Sequence, residues 1–275
     1  MNQVTVLYDA FGKPSALKRG WGYSTFVEHG GRRILFDTGN DGSDFACNVR
    51  ALGVDLTRLD CVVLSHRHGD HVSGLHHVLG VNPGVTIYTP VEPAGFGTPA
   101  GPALVKLMRR EVASMPEEMR YFGGNLPERF VAGTPWPGAR FVQIREPEEV
   151  LPGVFLFSTQ SDAAGSREMN EISMAIRTSQ GVALVVGCSH PGIEKILEAA
   201  SRIDSRIYSV FGGFHLVDIE DAQVTRMASS FREKWKIARM APGHCTGQFA
   251  LSEILREYGS KFDLAGVGSV IGLPQ

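Results

Sequence analysis

A chain of 275 residues with 43% hydrophobic and 20% charged residues carries enough apolar material for one large core, which excludes a disordered chain. No apolar run approaches the ~20 residues that span a bilayer, so no membrane partner is expected. A net charge of -2 supplies no global field for a polyanion, so no nucleic-acid partner is expected either.

The opening MNQVTVLYDA lacks the basic head and apolar run of a secretory signal, and the cytoplasm is the expected location. Residues 4–8 read as a strand and 9–22 as a loop. Two β-rich runs, 24–28 and 33–36, flank His29-Gly30-Gly31, a hairpin signal that puts Asp37 at a strand end. Asp37 reads as a turn carboxylate. Residues 43–52 read as a helix, with Phe45, Val49 and Leu52 on one face and Gly53 as its stop.

The run 59–64, LDCVVL, is long enough for a buried strand and too short for a helix. LSHRHGDHVSGL follows, placing His66, His68, Asp70 and His71 within six positions. Imidazole nitrogen and carboxylate oxygen are what a zinc-like cation prefers, and strand ends are where α/β folds place chemistry. These four residues are therefore expected to hold metal.

A short helix is expected over 75–79, whose His76 and His77 read as solvated residues at least as readily as ligands and are left out of the site. Residues 85–88 read as a strand. Periodicity breaks up over 89–150, where a helix over 103–111 carries Lys106, Arg109 and Arg110. That stretch reads either as an irregular insertion covering the site or as a surface excursion. Strand patterning returns at 154–158, 171–177 and 182–186, with Gly181 turning the last two. An amphipathic helix is expected over 191–203, started by Pro191 and capped by Ser189. Strands over 207–211 and 237–240 and helices over 222–235 and 252–258 complete an α/β alternation. His190, His215 and His244 each follow an apolar strand in a Gly-flanked turn, which argues that they converge with the first four. The four cysteines, Cys47, Cys61, Cys188 and Cys245, form no CxxC pair, which suits a reducing compartment.

HxHxDH after an apolar strand, with LFDTG at 35–39 upstream, resembles the metallo-β-lactamase fold superfamily. GCSHPGI (187–193), GGFHL (212–216) and PGHCTG (242–247) resemble the subgroup named for 7,8-dihydropterin-6-yl-methyl-4-(β-D-ribofuranosyl)aminobenzene 5'-phosphate synthase. The resemblance implies an αββα sandwich of two mixed sheets flanked by helices, over residues 1–275 as one domain. It implies two divalent metal ions, zinc foremost, with manganese, iron or magnesium as alternatives. His66, His68 and His190 would hold one, and Asp70, His71 and His244 the other, with Asp37 buttressing the loop.

Two departures stand out. Where the superfamily carries a GHTxG turn this chain reads SREMNEI, with Arg167 and no histidine, so His190 is the substitute ligand. Asn170 and Glu171 lie beside that position, and a supporting role for Glu171 is left open. Where a bridging aspartate is usual, Cys188 stands; it reads as a buried inert thiol, with zinc ligation as the alternative. His215 is assigned with Asp70 to catalysis, through contact with substrate or transition state, direct ligation being the alternative.

The subgroup implies a transferase acting on a small phosphorylated substrate, condensing a dihydropterin methyl diphosphate with a ribofuranosyl-aminobenzene phosphate and releasing diphosphate. A metal-dependent hydrolase of a small phosphoester or lactone, in which activated water attacks, fits the ligand set as well.

Overall fold

The structure is a computed structural model, and it describes residues 1–92, 96, 115–125, 134–162 and 169–275. The helix expected over 103–111, with Lys106, Arg109 and Arg110, and Arg167 lie outside the described residues.

Strands β1 (Gln3–Tyr8), β2 (Ser24–His29) and β3 (Arg32–Phe36) run antiparallel in succession. The β2–β3 hairpin turns on Gly30 and Gly31, both at positive φ (56° and 79°), as the twist of a tight hairpin requires. Helix α1 (Gly42–Ala51) is capped by Asp41, whose side chain accepts from Ser43 N and Asp44 N, and it buries Phe45, Asn48 and Val49. Strand β4 (Cys61–Val63) is shorter than its apolar run, because Leu59 closes a 3-10 turn instead of joining the ladder. Helices α2 (Gly69–Val72) and α3 (Leu75–Val81) follow, then β5 (Thr86–Pro90).

The stretch expected to be irregular also contains two strands. β6 (Arg140–Ile144) extends the first sheet beside β5, and β7 (Glu148–Leu151) opens the second. Both sit at sheet edges and are mostly half-covered or exposed, so their side chains carry little of the alternation that marks a buried face. β8 (Val154–Gln160), β9 (Asn170–Thr178) and β10 (Gly181–Val186) form an antiparallel series, and β11 (Ile207–Gly213) and β12 (Arg239–Gly243) continue it in parallel. Helices α4 (Ile193–Ser201), α5 (Asp221–Glu233) and α6 (Gln248–Tyr258) and strand β13 (Val270–Gly272), antiparallel to β1, complete the α-helices and strands among the described residues.

Two boundaries differ from the sequence reading in ways that matter for the site. Ser189 does not cap α4: it lies at φ 66° and turns its hydroxyl to Gly213 O (2.7 Å), so the helix starts only after Gly192. Ile237 is taken up in closing α5, its N–H donating to Phe231 O (3.1 Å), and β12 therefore shifts toward His244.

Among the described residues the sheets order as β13-β1-β2-β3-β4-β5-β6 and β12-β11-β10-β9-β8-β7. Val4, Val27, Ile34, Phe36 and Val63 of the first face Leu156, Ile172, Met174, Ile176 and Val185 of the second in one core. α1 and α3 cover the outer face of the first sheet, and α4, α5 and α6 that of the second. β10 is buried at every position, which is why its sequence VALVV shows no alternation. This is the αββα sandwich. Because β1, β3, β4 and β5 run parallel, and β10 runs with β11 and β12, the carboxyl ends in each sheet share one edge. Ile172 N donating to Ser65 O (2.8 Å) joins those two edges.

Candidate metal centre

Seven donor side chains gather at the joined edge. His66, His68 and His190 form one group, and Asp70, His71, Cys188 and His244 a second, the donor atoms within each lying within 4.8 Å of one another. The groups adjoin: the His66 ring lies 4.2 Å from that of His71 and 4.9 Å from that of His190, centroid to centroid.

The loop after β4 owes its shape to Asp37, which ends β3 at φ 58°. One carboxylate oxygen of Asp37 accepts Ser65 N (2.7 Å), and the other accepts Ser65 Oγ and His71 Nδ1 (both 2.7 Å). With its proton committed to Asp37, Ser65 Oγ accepts from His66 Nδ1 (2.9 Å). With Nδ1–H donated in this way, the neutral form of each ring, the form that binds metal, would present its Nε2 lone pair to the centre. His71 Nε2 lies 3.1 Å from Cys188 Sγ and 3.6 Å from Asp70 Oδ2; His244 Nε2 lies 3.2 Å and 3.5 Å from the same two atoms. The Cys188 thiol is therefore aimed at the other donors and not at the apolar core.

Glu171, fully buried at the start of β9, holds the strand-end turn that carries His190. Its Oε1 accepts Cys188 N (2.8 Å) and Ser189 N (2.7 Å), and its Oε2 accepts His190 N (2.8 Å). The same turn needs a glycine at 187, where a Cβ would lie 2.3 Å from Ser65 Oγ. Ser189, His215 and His244 all adopt positive φ, a cost of ~1–3 kcal/mol each that surrounding contacts must offset.

Asp9 is the residue that sequence reasoning missed. It is buried at the end of β1, and its Oδ2 accepts His244 N (2.9 Å) while Oδ1 accepts Phe11 N (2.8 Å). Burial pushes its carboxyl up to about 8, against the pull of those N–H groups. A signal for it exists in the chain: an acidic residue ends β1 as Asp37 ends β3, and the two strands run parallel.

His215 belongs to neither group. Its ring lies 4.5 Å from that of His190, and its Nδ1 lies 3.8 Å from Asp218 Oδ2 near the surface. His76 and His77 pack on Trp136 and Phe45, away from the donors.

The electrostatics fit a cation. Burial first, then His71, His190 and His68, holds His66 well below its ordinary value. Burial, His215 and His68 push His190 down to about 3. Burial lowers His68 too. These rings stay neutral at pH 7 with lone pairs available, and His190 Nε2 is buried without a hydrogen-bond partner among the described residues. Burial alone would raise Asp70, but its hydrogen bond from His244 and the charge of His71 outweigh it and hold the carboxyl at about 2. For His71 burial pulls down and Asp37 wins, raising it. Burial pushes the Cys188 thiol well up, so ligation there requires deprotonation. Crowded neutral imidazoles, one anionic carboxylate and an unpartnered ring nitrogen form a donor set that a divalent metal satisfies.

Residues 18–156 match the family model described as the Metallo-beta-lactamase superfamily. The chain is 27% identical, over 96% of its length and 93% of the relative's, to 7,8-dihydropterin-6-methyl-4-(beta-D-ribofuranosyl)-aminobenzene-5'-phosphate synthase of Methanocaldococcus jannaschii. The uncharacterized protein MJ0448 of the same organism is 27% identical over 92% of this chain and 93% of its own. A crystal structure described as a metal-dependent hydrolase of the beta-lactamase superfamily matches at TM-score 0.73 and 22% identity with both chains fully covered, which speaks to the fold. No helix among the described residues is long and apolar enough to cross a membrane. On its matched sequence and its two-sheet architecture, the chain belongs to the metallo-beta-lactamase superfamily.

Proposed function

We propose that this protein is a dinuclear metal-dependent transferase that condenses a dihydropterin methyl diphosphate with a ribofuranosyl-aminobenzene phosphate. The observation that carries the reading is the pair of adjoining donor groups at one edge of the sandwich. The choice of substrates is supported by likeness along nearly the whole chain to a protein named as the corresponding synthase.

Two divalent cations, when bound, would supply positive charge to a departing diphosphate. His66, His68 and His190 would hold one, three donors leaving a position open. Asp70, His71, His244 and Cys188 would hold the other, with Cys188 ligating as thiolate. A sulfur among imidazoles favours zinc over magnesium, which takes oxygen ligands. In the reaction the arylamine nitrogen forms a bond to the pterin methylene carbon. The carbon–oxygen bond breaks, diphosphate leaves with the electron pair, and the amine proton passes to solvent. The chain's own part is to hold nucleophile and leaving group in line, with side chains fixed by Asp37, Glu171 and Asp9.

His215 stands outside both groups and beside the three-donor one, which supports assigning it a hydrogen bond to developing charge rather than ligation. His215→Ala is expected to retain both metals and lose about 10²–10³-fold in turnover. Metal analysis alongside kinetics checks this, and loss of one cation would move His215 into the ligand set. Asp9→Asn keeps the shape but sets an amide N–H against one of the N–H donors it now accepts. It is expected to weaken metal affinity by about 10–100-fold with an unchanged circular dichroism spectrum. Chelator competition measures the affinity; a wild-type value would show that Asp9 does not position His244.

The reaction itself is tested by incubating the metal-loaded protein with both substrates. Condensed product and diphosphate in equal amounts are expected. Release of diphosphate and hydroxymethyl pterin with the arylamine unconsumed would overturn the transferase in favour of a hydrolase.

A further inference from the structure

Trp21 is 55% exposed although its ring lies only 5.3 Å from the His244 ring, tilted by 52°. A single bare aromatic is ordinary on a protein surface. What distinguishes Trp21 is that its backbone is fixed on both sides to the centre while its ring is left open. Before it, Gly20 N donates to Asp9 O (3.3 Å); after it, Tyr23 N donates to Asp70 O (3.2 Å) and Gly39 N donates to Tyr23 O (3.0 Å). Gly22 approaches the metal loop so closely that a Cβ would lie 2.6 Å from Asp70 O and 2.8 Å from Asn40 N. The anchors are thus residues that set Asp70 and His244, and the ring's place is registered to those donors rather than to its own packing.

We propose that Trp21 forms one wall of a subsite for a planar aromatic ring of the substrate, beside the Asp70–His71–Cys188–His244 group. An indole face stacks on a flat π-system with little regard to its substituents. The inference rests on the substrates proposed above, both of which carry such a ring, the pterin and the aminobenzene.

Calorimetric titration of the protein as purified with its metals, using 6-hydroxymethylpterin, 4-aminobenzoate and inorganic diphosphate as separate probes, tests it. Trp21→Ala is expected to weaken one ring probe by about ten- to hundredfold while leaving diphosphate unaffected, and Trp21→Phe to restore most of the loss. The probe that suffers identifies which ring stacks. In turnover the same variant raises KM for that substrate and leaves kcat nearly unchanged. The subsite is overturned if Trp21→Ala binds both rings as wild type does, if neither ring binds the wild type, or if diphosphate binding falls in parallel. A protein that holds a ring through Trp21 and yet forms no condensed product leaves the subsite standing and fails the reaction reading.

Discussion

Asp70→Ala is expected to abolish turnover while leaving the sandwich folded. Asp70 Oδ2 lies 3.6 Å from His71 Nε2 and 3.5 Å from His244 Nε2, so its removal takes the one carboxylate from the second donor group. The loss should exceed the ~10–100-fold typical of removing a group that only orients a ligand. Folding should suffer far less, because the side chain is one-fifth exposed and belongs to the cleft rather than to any apolar cluster. Activity and thermal unfolding are to be measured together, the latter with chelator for both proteins so that metal linkage does not enter. In that metal-free state the folded carboxyl sits at about 2, below the unfolded value of 3.8. The stability it contributes is present above the unfolded value and lost as pH falls toward 2, so the two proteins should converge in acid. A variant that fails to fold at neutral pH with chelator present would show that Asp70 is part of the framework.

Glu171→Ala is expected to be the most destabilising single change at the site. Three backbone N–H groups, those of Cys188, Ser189 and His190, end on this one fully buried carboxylate. A buried donor left unpaired costs ~1–3 kcal/mol, so a loss on the order of 4 kcal/mol is expected once partial relaxation and water entry are allowed for. Glu171→Gln should fall between, because its amide oxygen can keep the pair from Cys188 and Ser189 while its NH₂ opposes His190 N. Both variants should also lose metal at the His66–His68–His190 group, since the backbone of His190 is what the carboxylate holds. Urea unfolding of the three proteins checks the order; a Glu171→Ala variant within about 1 kcal/mol of wild type would mean the turn is held elsewhere.

The parts of the site written locally in the chain are legible in the sequence alone. His66, His68, Asp70 and His71 share one loop, and their spacing alone marks them as candidate donors. His190 and His244 are legible for a different reason: each follows an apolar strand, and parallel strands deliver their carboxyl ends to one edge. The tasks of Asp9 and Glu171 are not legible, because they are backbone contacts across the fold, Asp9 and His244 being separated by 235 positions. Cys188 marks a further limit. Its place at a strand end is evident, but the fully buried β10 shows no alternation, so nothing in the pattern says which way the side chains past Val186 point. Ser189 obeys the usual capping preference in type and not in fact, since a tertiary acceptor, Gly213 O, takes its hydroxyl.

Metal analysis of protein purified without chelator decides whether one chain holds two cations. Two equivalents of divalent metal per chain are expected, with His190→Ala retaining about one, and activity lost on chelation. Less than one equivalent in the wild-type protein, with turnover indifferent to chelator, would rule out a dinuclear centre.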